Sequence, residues 1–246
     1  LGVWLDALWD KRSRNRDAVD YMMLTLLLGA RRSETAQLVW RDRLLAAGLK
    51  EVDYSVLTLP DGDGVGQVTF RGTKSGAMHS VPLGRFATWL MRQRHQDYHD
   101  QLFVFPASSK NPATKSPHYN SPREFVASLR TTLERQSLQK AWDAYATTFK
   151  AKGQQPPMTL EQFAQPYPPQ WKFTMHDLRR TFCTVAVNTE GMPYAVVQQL
   201  MNHSQMGNVT ARYGKPTKEA LRKHMQELEN ELLRYAAALP QIQMEG

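Results

Sequence analysis

Between residues 174 and 213 the chain brings several reactive side chain types together at short spacing. It reads Thr174-Met175-His176-Asp177-Leu178-Arg179-Arg180-Thr181, then Met201-Asn202-His203-Ser204, then Thr210-Ala211-Arg212-Tyr213. His176 and Arg179 are three residues apart, so on a helix they share one face. Arg180 is turned by about 100° from Arg179 and points elsewhere. An imidazole beside a planar, permanently charged guanidinium suits an oxyanion with several equivalent oxygens. Upstream, Gly29-Ala30-Arg31-Arg32-Ser33-Glu34 sets a further arginine pair at a helix boundary. Tyrosine can form covalent intermediates, but with a free pKa near ~10 it needs cationic neighbours. Two arginines, two histidines and a tyrosine, without metal-ligand spacing, point to covalent chemistry on a phosphodiester.

Two other chemistries fail on their residues. His95 and His99 have the spacing of a helical zinc pair, but no glutamate follows His95 and no third ligand is evident. Gly62, Gly64 and Gly66 precede a strand pattern, so they make a turn and not a nucleotide loop. The reading therefore requires no metal and no cofactor. Lysine and arginine outnumber aspartate and glutamate by 31 to 23, a net charge of +8 that fits a polyanionic partner. No stretch approaches the ~20 apolar residues of a membrane span. Cys183 is alone, which rules out an internal disulfide and agrees with a reducing compartment. The first residue is Leu1 and not methionine, as expected of a fragment of something longer.

The elements that must position these groups follow from periodicity. Apolar residues at 1, 4, 5, 8 and 9, and again at 19, 22, 23, 26 and 27, predict two amphipathic helices, the second ended by Gly29. Ser33 reads as the cap of a short helix through Leu38. Val56–Leu59, Val68–Phe70 and Met78–Pro82 read as strands of a small antiparallel sheet, with Lys74 in its last hairpin turn. Leu83–Arg94 returns to a helical pattern, and Ser108–Ser121 is a loop carrying Lys110 and Lys115. Pro122–Leu138 predicts a helix. Residues 141–170, broken by Gly153, Pro156-Pro157 and Pro168-Pro169, read as an insertion with two short helices. A helix resumes at Met175, and another spans Ala195–Met201. From Thr217, which would cap it, Leu221, Met225, Leu228 and Leu232 form the stripe of a C-terminal helix.

Taken together, the series resembles the catalytic domain of the tyrosine recombinases, the phage integrase family, over roughly Leu1 to Lys215. The hexapeptide His176-Asp177-Leu178-Arg179-Arg180-Thr181 carries the resemblance furthest, with His203 ten residues before Tyr213. The resemblance implies an α+β, mostly helical fold with a three-stranded antiparallel sheet near its start. It also implies a catalytic domain over residues 1–215, followed by a C-terminal amphipathic helix and tail over 216–246. Tyr213 would be the nucleophile, forming a 3′-phosphotyrosyl link. Arg31 and Arg179 would clamp the phosphate, with Gly29-Ala30 selecting Arg31 over Arg32 and Glu34 orienting the clamp. His176 would move protons around the tyrosine, and Lys74 would protonate the leaving 5′-oxygen. His203 would donate to the phosphate, although Asn202 replaces the usual glycine before it. Asp177 would be supporting, while Arg32, Arg180, Lys110 and Lys115 are candidates for DNA-phosphate contact.

Further expectations come with the family. These are double-stranded DNA attachment sites, integration and excision of phage or other mobile DNA, and a homo-tetramer on DNA joined through the C-terminal helix. Accessory DNA-bending proteins, a bacterial cytoplasmic location and an absent N-terminal DNA-gripping domain complete the set. The rival enzyme is a type IB topoisomerase, and the rival from another class is a DNA-binding module that does not cleave.

Overall fold

The computed structural model describes residues 1–71, 78–98, 100–107, 117–119, 122–201 and 216–240. Helix α1 (Gly2–Trp9) and helix α2 (Arg16–Leu28) form as their stripes require, and α2 is buried along its whole length from Ala18. Gly29 ends α2 in the left-handed region at φ 57°, where a side chain would be strained. Space demands glycine here as well, since a Cβ would lie 2.4 Å from the Phe182 ring. The close approach brings α2 against helix α8 (Met175–Asn188), a principal packing contact of the domain.

The segment after Gly29 departs from expectation. Arg31, not Ser33, is the N-cap of helix α3 (Arg32–Ala36), and Glu34 three residues on accepts from its backbone N–H at 2.7 Å. The helix stops at Ala36, and Leu38–Trp40 forms strand β1. Helix α4 (Arg41–Ala46) then leads to β2 (Ser55–Thr58), which lies parallel to β1 with Val39 opposite Val56. Strands β3 (Gln67–Phe70) and β4 (His79–Pro82) follow antiparallel, with Val68 opposite Val81. The sheet is thus four-stranded and mixed, in the order β1-β2-β3-β4, and not three-stranded and antiparallel. The reason is local. β1 is three residues long and wholly buried, so it lacks the alternation that marks a half-exposed strand.

Helix α5 (Arg85–Asp97) follows the sheet. Helix α6 runs from Arg123 to Lys150, well past the expected end at Leu138. No glycine or proline interrupts residues 138–150, and the chain turns only at Gly153, at φ 70°. One short helix, α7 (Leu160–Ala164), follows where two were expected, capped by Thr159. Helices α9 (Tyr194–Leu200) and α10 (Lys218–Leu233) complete the described chain. No helix among the described residues is long and apolar enough to cross a membrane.

The main core holds Leu8, Met22, Leu26, Leu90, Leu129, Phe182 and Leu228 in a single cluster, while Val39, Leu44 and Val56 form a smaller one. Helix α10 contributes Leu221, Met225, Leu228 and Leu232 to the main core, so its stripe is covered by its own chain. A polar contact fixes the register. The buried Glu229 carboxylate accepts from the N–H groups of Phe86 at 2.8 Å and Ala87 at 2.9 Å, capping the start of α5. Burial pushes its pKa up, and those two backbone donors oppose the shift. Gly84 makes the room, since a Cβ there would sit 2.3 Å from the carboxylate. Glu229→Ala should lower the unfolding free energy by about 1–3 kcal/mol in urea titration, the range for leaving a buried donor without its acceptor. An unchanged midpoint and slope would show that the docking of α10 does not depend on this cap.

Candidate active site

The start of α3 with the residues just before it, the start of α6 and the first turns of α8 meet around a cavity of about 600 Å³. Arg31 just before α3 and Arg32 within it, Arg123 and Arg130 of α6, and His176 and Arg179 of α8 all line it. Two segments far apart in sequence thus bring the predicted arginines and the first predicted histidine to one space.

Arg179 holds this junction together. Its Nη1 donates to the Gly29 carbonyl at 2.6 Å and its Nη2 to the Met201 carbonyl at 2.7 Å. Gly29 and Met201 each lie at a helix terminus, where carbonyls lack intrahelical partners. Only 8% of Arg179 is exposed. Burial pushes its pKa down, the nearby Arg31 cation adds to the shift, and Glu34 opposes it. A guanidinium carries more N–H donors than these two bonds use, so donors remain for an anion in the cavity.

Arg31 is held differently. Glu34 accepts from its backbone N–H through one oxygen and from its Nη1, at 2.6 Å, through the other. Glu34 therefore orients both the helix start and the Arg31 side chain, which stays exposed to the cavity. Arg32 has an exposed side chain, and its carbonyl accepts from the buried Tyr21 hydroxyl at 2.7 Å.

His176 is exposed, and no hydrogen bond or ion pair holds its imidazole among the described residues. Asp177 is structural, its Oδ2 accepting from the Thr174 N–H and hydroxyl, each at 2.7 Å. The Thr174 hydroxyl bond leads in holding its carboxyl below the ordinary aspartate range. Arg180 points away from the cavity, largely solvated and 3.2 Å from Asp177.

Three contributors were not visible in the sequence. Arg123 and Arg130 sit on α6, and a cation on a helix face carries no local sign of the cavity it lines. His79 of β4 places Nε2 3.4 Å from the Leu200 carbonyl, beside the residue that Arg179 grips. Burial leads in pushing its pKa down, the Leu200 contact and Glu34 oppose this, and Arg179 adds to it. Lys74, His203, Tyr213, Lys110 and Lys115 lie outside the described residues.

Guanidinium groups converge on one cavity, in a mostly helical domain with a small mixed sheet, and their chemistry suits an anion. The family model described as "Phage integrase family" matches residues 6–220, and the chain belongs to that family. No curated protein and no solved structure matches it. Membership makes the chain a tyrosine recombinase in general function.

The Asp177 clasp has a pH signature. A carboxyl whose folded pKa is depressed contributes stability above its unfolded pKa and loses it as pH falls through the folded one. Asp177→Asn should destabilise the protein by about 0.5–2 kcal/mol at neutral pH, as for a lost cap. The gap from wild type should close as pH drops below the ordinary aspartate range. Thermal melts across that range check this, and a gap independent of pH would contradict it.

Proposed function

We propose that the chain is a site-specific DNA recombinase that breaks and rejoins strands through Tyr213. The observation that carries this reading is the convergence of Arg31, His176 and Arg179 on one cavity, within the span that the family model matches. The Tyr213 oxygen attacks the scissile phosphorus and gives up its proton, with His176 serving that transfer. The bond from phosphorus to the 5′-oxygen breaks, and Lys74 protonates the leaving oxygen. A 3′-phosphotyrosyl link and a free 5′-hydroxyl result, and a 5′-hydroxyl from another strand reverses the step. Arg31, Arg179 and His203 meet the charge on the non-bridging oxygens, where preorganised donors act most strongly. The phosphodiester energy is kept in the covalent link, so no nucleotide is consumed.

The substrate on this reading is a pair of double-stranded attachment sites, in the integration or excision of phage or other mobile DNA. Arg32, Arg180, Lys110 and Lys115 add contacts to backbone phosphates, with Arg180 reaching them from outside the cavity. Residues 1–215 act as the catalytic domain, with 141–170 inserted, and the working form on DNA is a tetramer assisted by DNA-bending proteins. The apolar stripe of α10 is covered in its own chain. Assembly through that helix must therefore use its polar faces or exchange the packed one. The compartment is the cytoplasm of a bacterial host.

A nicked duplex that traps the covalent product, drawn from the DNA flanking the coding sequence, tests the reading. Wild type should form a denaturant-resistant protein–DNA adduct and Tyr213→Phe none, while Arg31→Ala should slow it by about 10²–10³-fold. Adduct formed by Tyr213→Phe would refute the assignment of the nucleophile. Absence of adduct from wild type on bound DNA would favour a module that binds without cleaving. Supercoil relaxation without strand exchange would favour the topoisomerase.

A further inference from the structure

His176 has no side-chain partner among the described residues, so its place at the cavity is inherited from the backbone of the first turn of α8. First turns fray unless their termini are held, because their N–H groups lack intrahelical partners. The core fixes the body of α8 through Leu178 and Phe182. The residues entering it, Gln170 to Phe173, belong to neither helix nor strand.

One face of α6 holds them. Arg130, Glu134 and Ser137 recur at i, i+4 and i+7 and so point the same way. Glu134 accepts from the Trp171 N–H at 2.6 Å through one oxygen and from the Gln170 N–H at 2.9 Å through the other. The Trp171 indole donates to the Ser137 hydroxyl at 2.8 Å. Arg130 donates to the Phe173 carbonyl and lies 5.3 Å from the Phe173 ring centroid. The next residue is Thr174, the cap that Asp177 clasps. The chain that leaves α6 through α7 therefore returns to the same α6 face just before it enters the site.

We infer that Glu134, flanked by Arg130 and Ser137, is a positioning residue that sets His176 at the phosphate by clamping residues 170–173 to α6. The inference rests on the proposed recombinase chemistry for its effect on rate, though the clamp can also be read directly from His176. A reacting group moved by about 1 Å can lose 10²-fold in rate. Glu134 does not line the cavity, so its loss should leave the binding of ground-state DNA alone.

The test compares Glu134→Ala and Glu134→Gln with wild type in this chain. Three quantities are read: adduct formation on the nicked duplex under single turnover, affinity for the same duplex, and the His176 ring resonances by NMR. Glu134→Ala should slow adduct formation by about 10–100-fold, the scale of such a misplacement. Its affinity should stay within about twofold of wild type, the sign of a group acting in the transition state and not in binding. Its His176 signal should shift or broaden. Glu134→Gln keeps one acceptor oxygen and should recover part of the rate, and it carries the comparison if the alanine variant does not fold. A wild-type rate with an unmoved His176 signal, whatever the loss of stability, would overturn the inference and leave the clamp a folding feature. If wild type itself forms no adduct, the recombinase reading fails separately. The His176 signal alone then decides, a shift supporting the clamp and an unmoved signal refuting it.

Discussion

The arrangement depends on a guanidinium buried among helix ends. Arg179 reaches from α8 to the carbonyl that closes α2 and to the one that closes α9, joining three helices where the ends of α2 and α9 have unsatisfied backbone acceptors. The Gly29 conformation and its contact with Phe182 bring the first carbonyl within reach. Because Ala30 and Arg31 follow Gly29 directly, the same bond fixes where the second arginine starts. The second bond holds Met201, the C-cap of α9, in the same way. One side chain thereby ties the start of the Arg31 segment to the first turns of α8 and the end of α9.

Such a site is electrostatically uneasy. Arg31, Arg32, Arg123, Arg130 and Arg179 all border the cavity. The nearby carboxylates, Glu34 and Asp177, are each committed to a helix start. The proximity of Arg31 pushes Arg179 further in the direction that burial already drives it, a mark of repulsion between the two cations. On the proposed chemistry, a phosphate bound there would relieve this repulsion by supplying the missing negative charge. The +8 net charge of the chain extends the same preference to the longer polyanion.

Much of this was legible in the sequence, for reasons that can be stated. His176 and Arg179 share a face because helical period requires it, and Gly29 reads as a helix stop on sight. The α10 stripe and the strands after residue 55 carry regular apolar spacing, so their burial follows. What escaped is long-range or patternless. The bond from Arg179 to Gly29 spans 150 residues, and no local motif encodes it. Glycine at 29 also serves a close approach to Phe182, which the turn alone does not reveal. β1 is too short and too buried to show alternation, and its parallel pairing made the sheet four-stranded. α6 outran its expected end because its apolar stripe fades after Leu133 while nothing breaks the helix before Gly153. Arg123 and Arg130 looked like any other solvated helix cations.

On this arrangement, the Arg179 guanidinium stabilises the junction more than its burial costs. Burying a charge is unfavourable, and replacing a buried ion by an apolar side chain of similar size can stabilise a protein. Leaving two buried carbonyls unpaired costs about 1–3 kcal/mol each. The equilibrium unfolding free energy of Arg179→Met, measured by urea titration without DNA, sets these against each other. Arg179→Met should be less stable than wild type by about 2 kcal/mol or more. A variant as stable as wild type, or more so, would contradict it and show that the fold bears the buried cation only for the sake of the reaction.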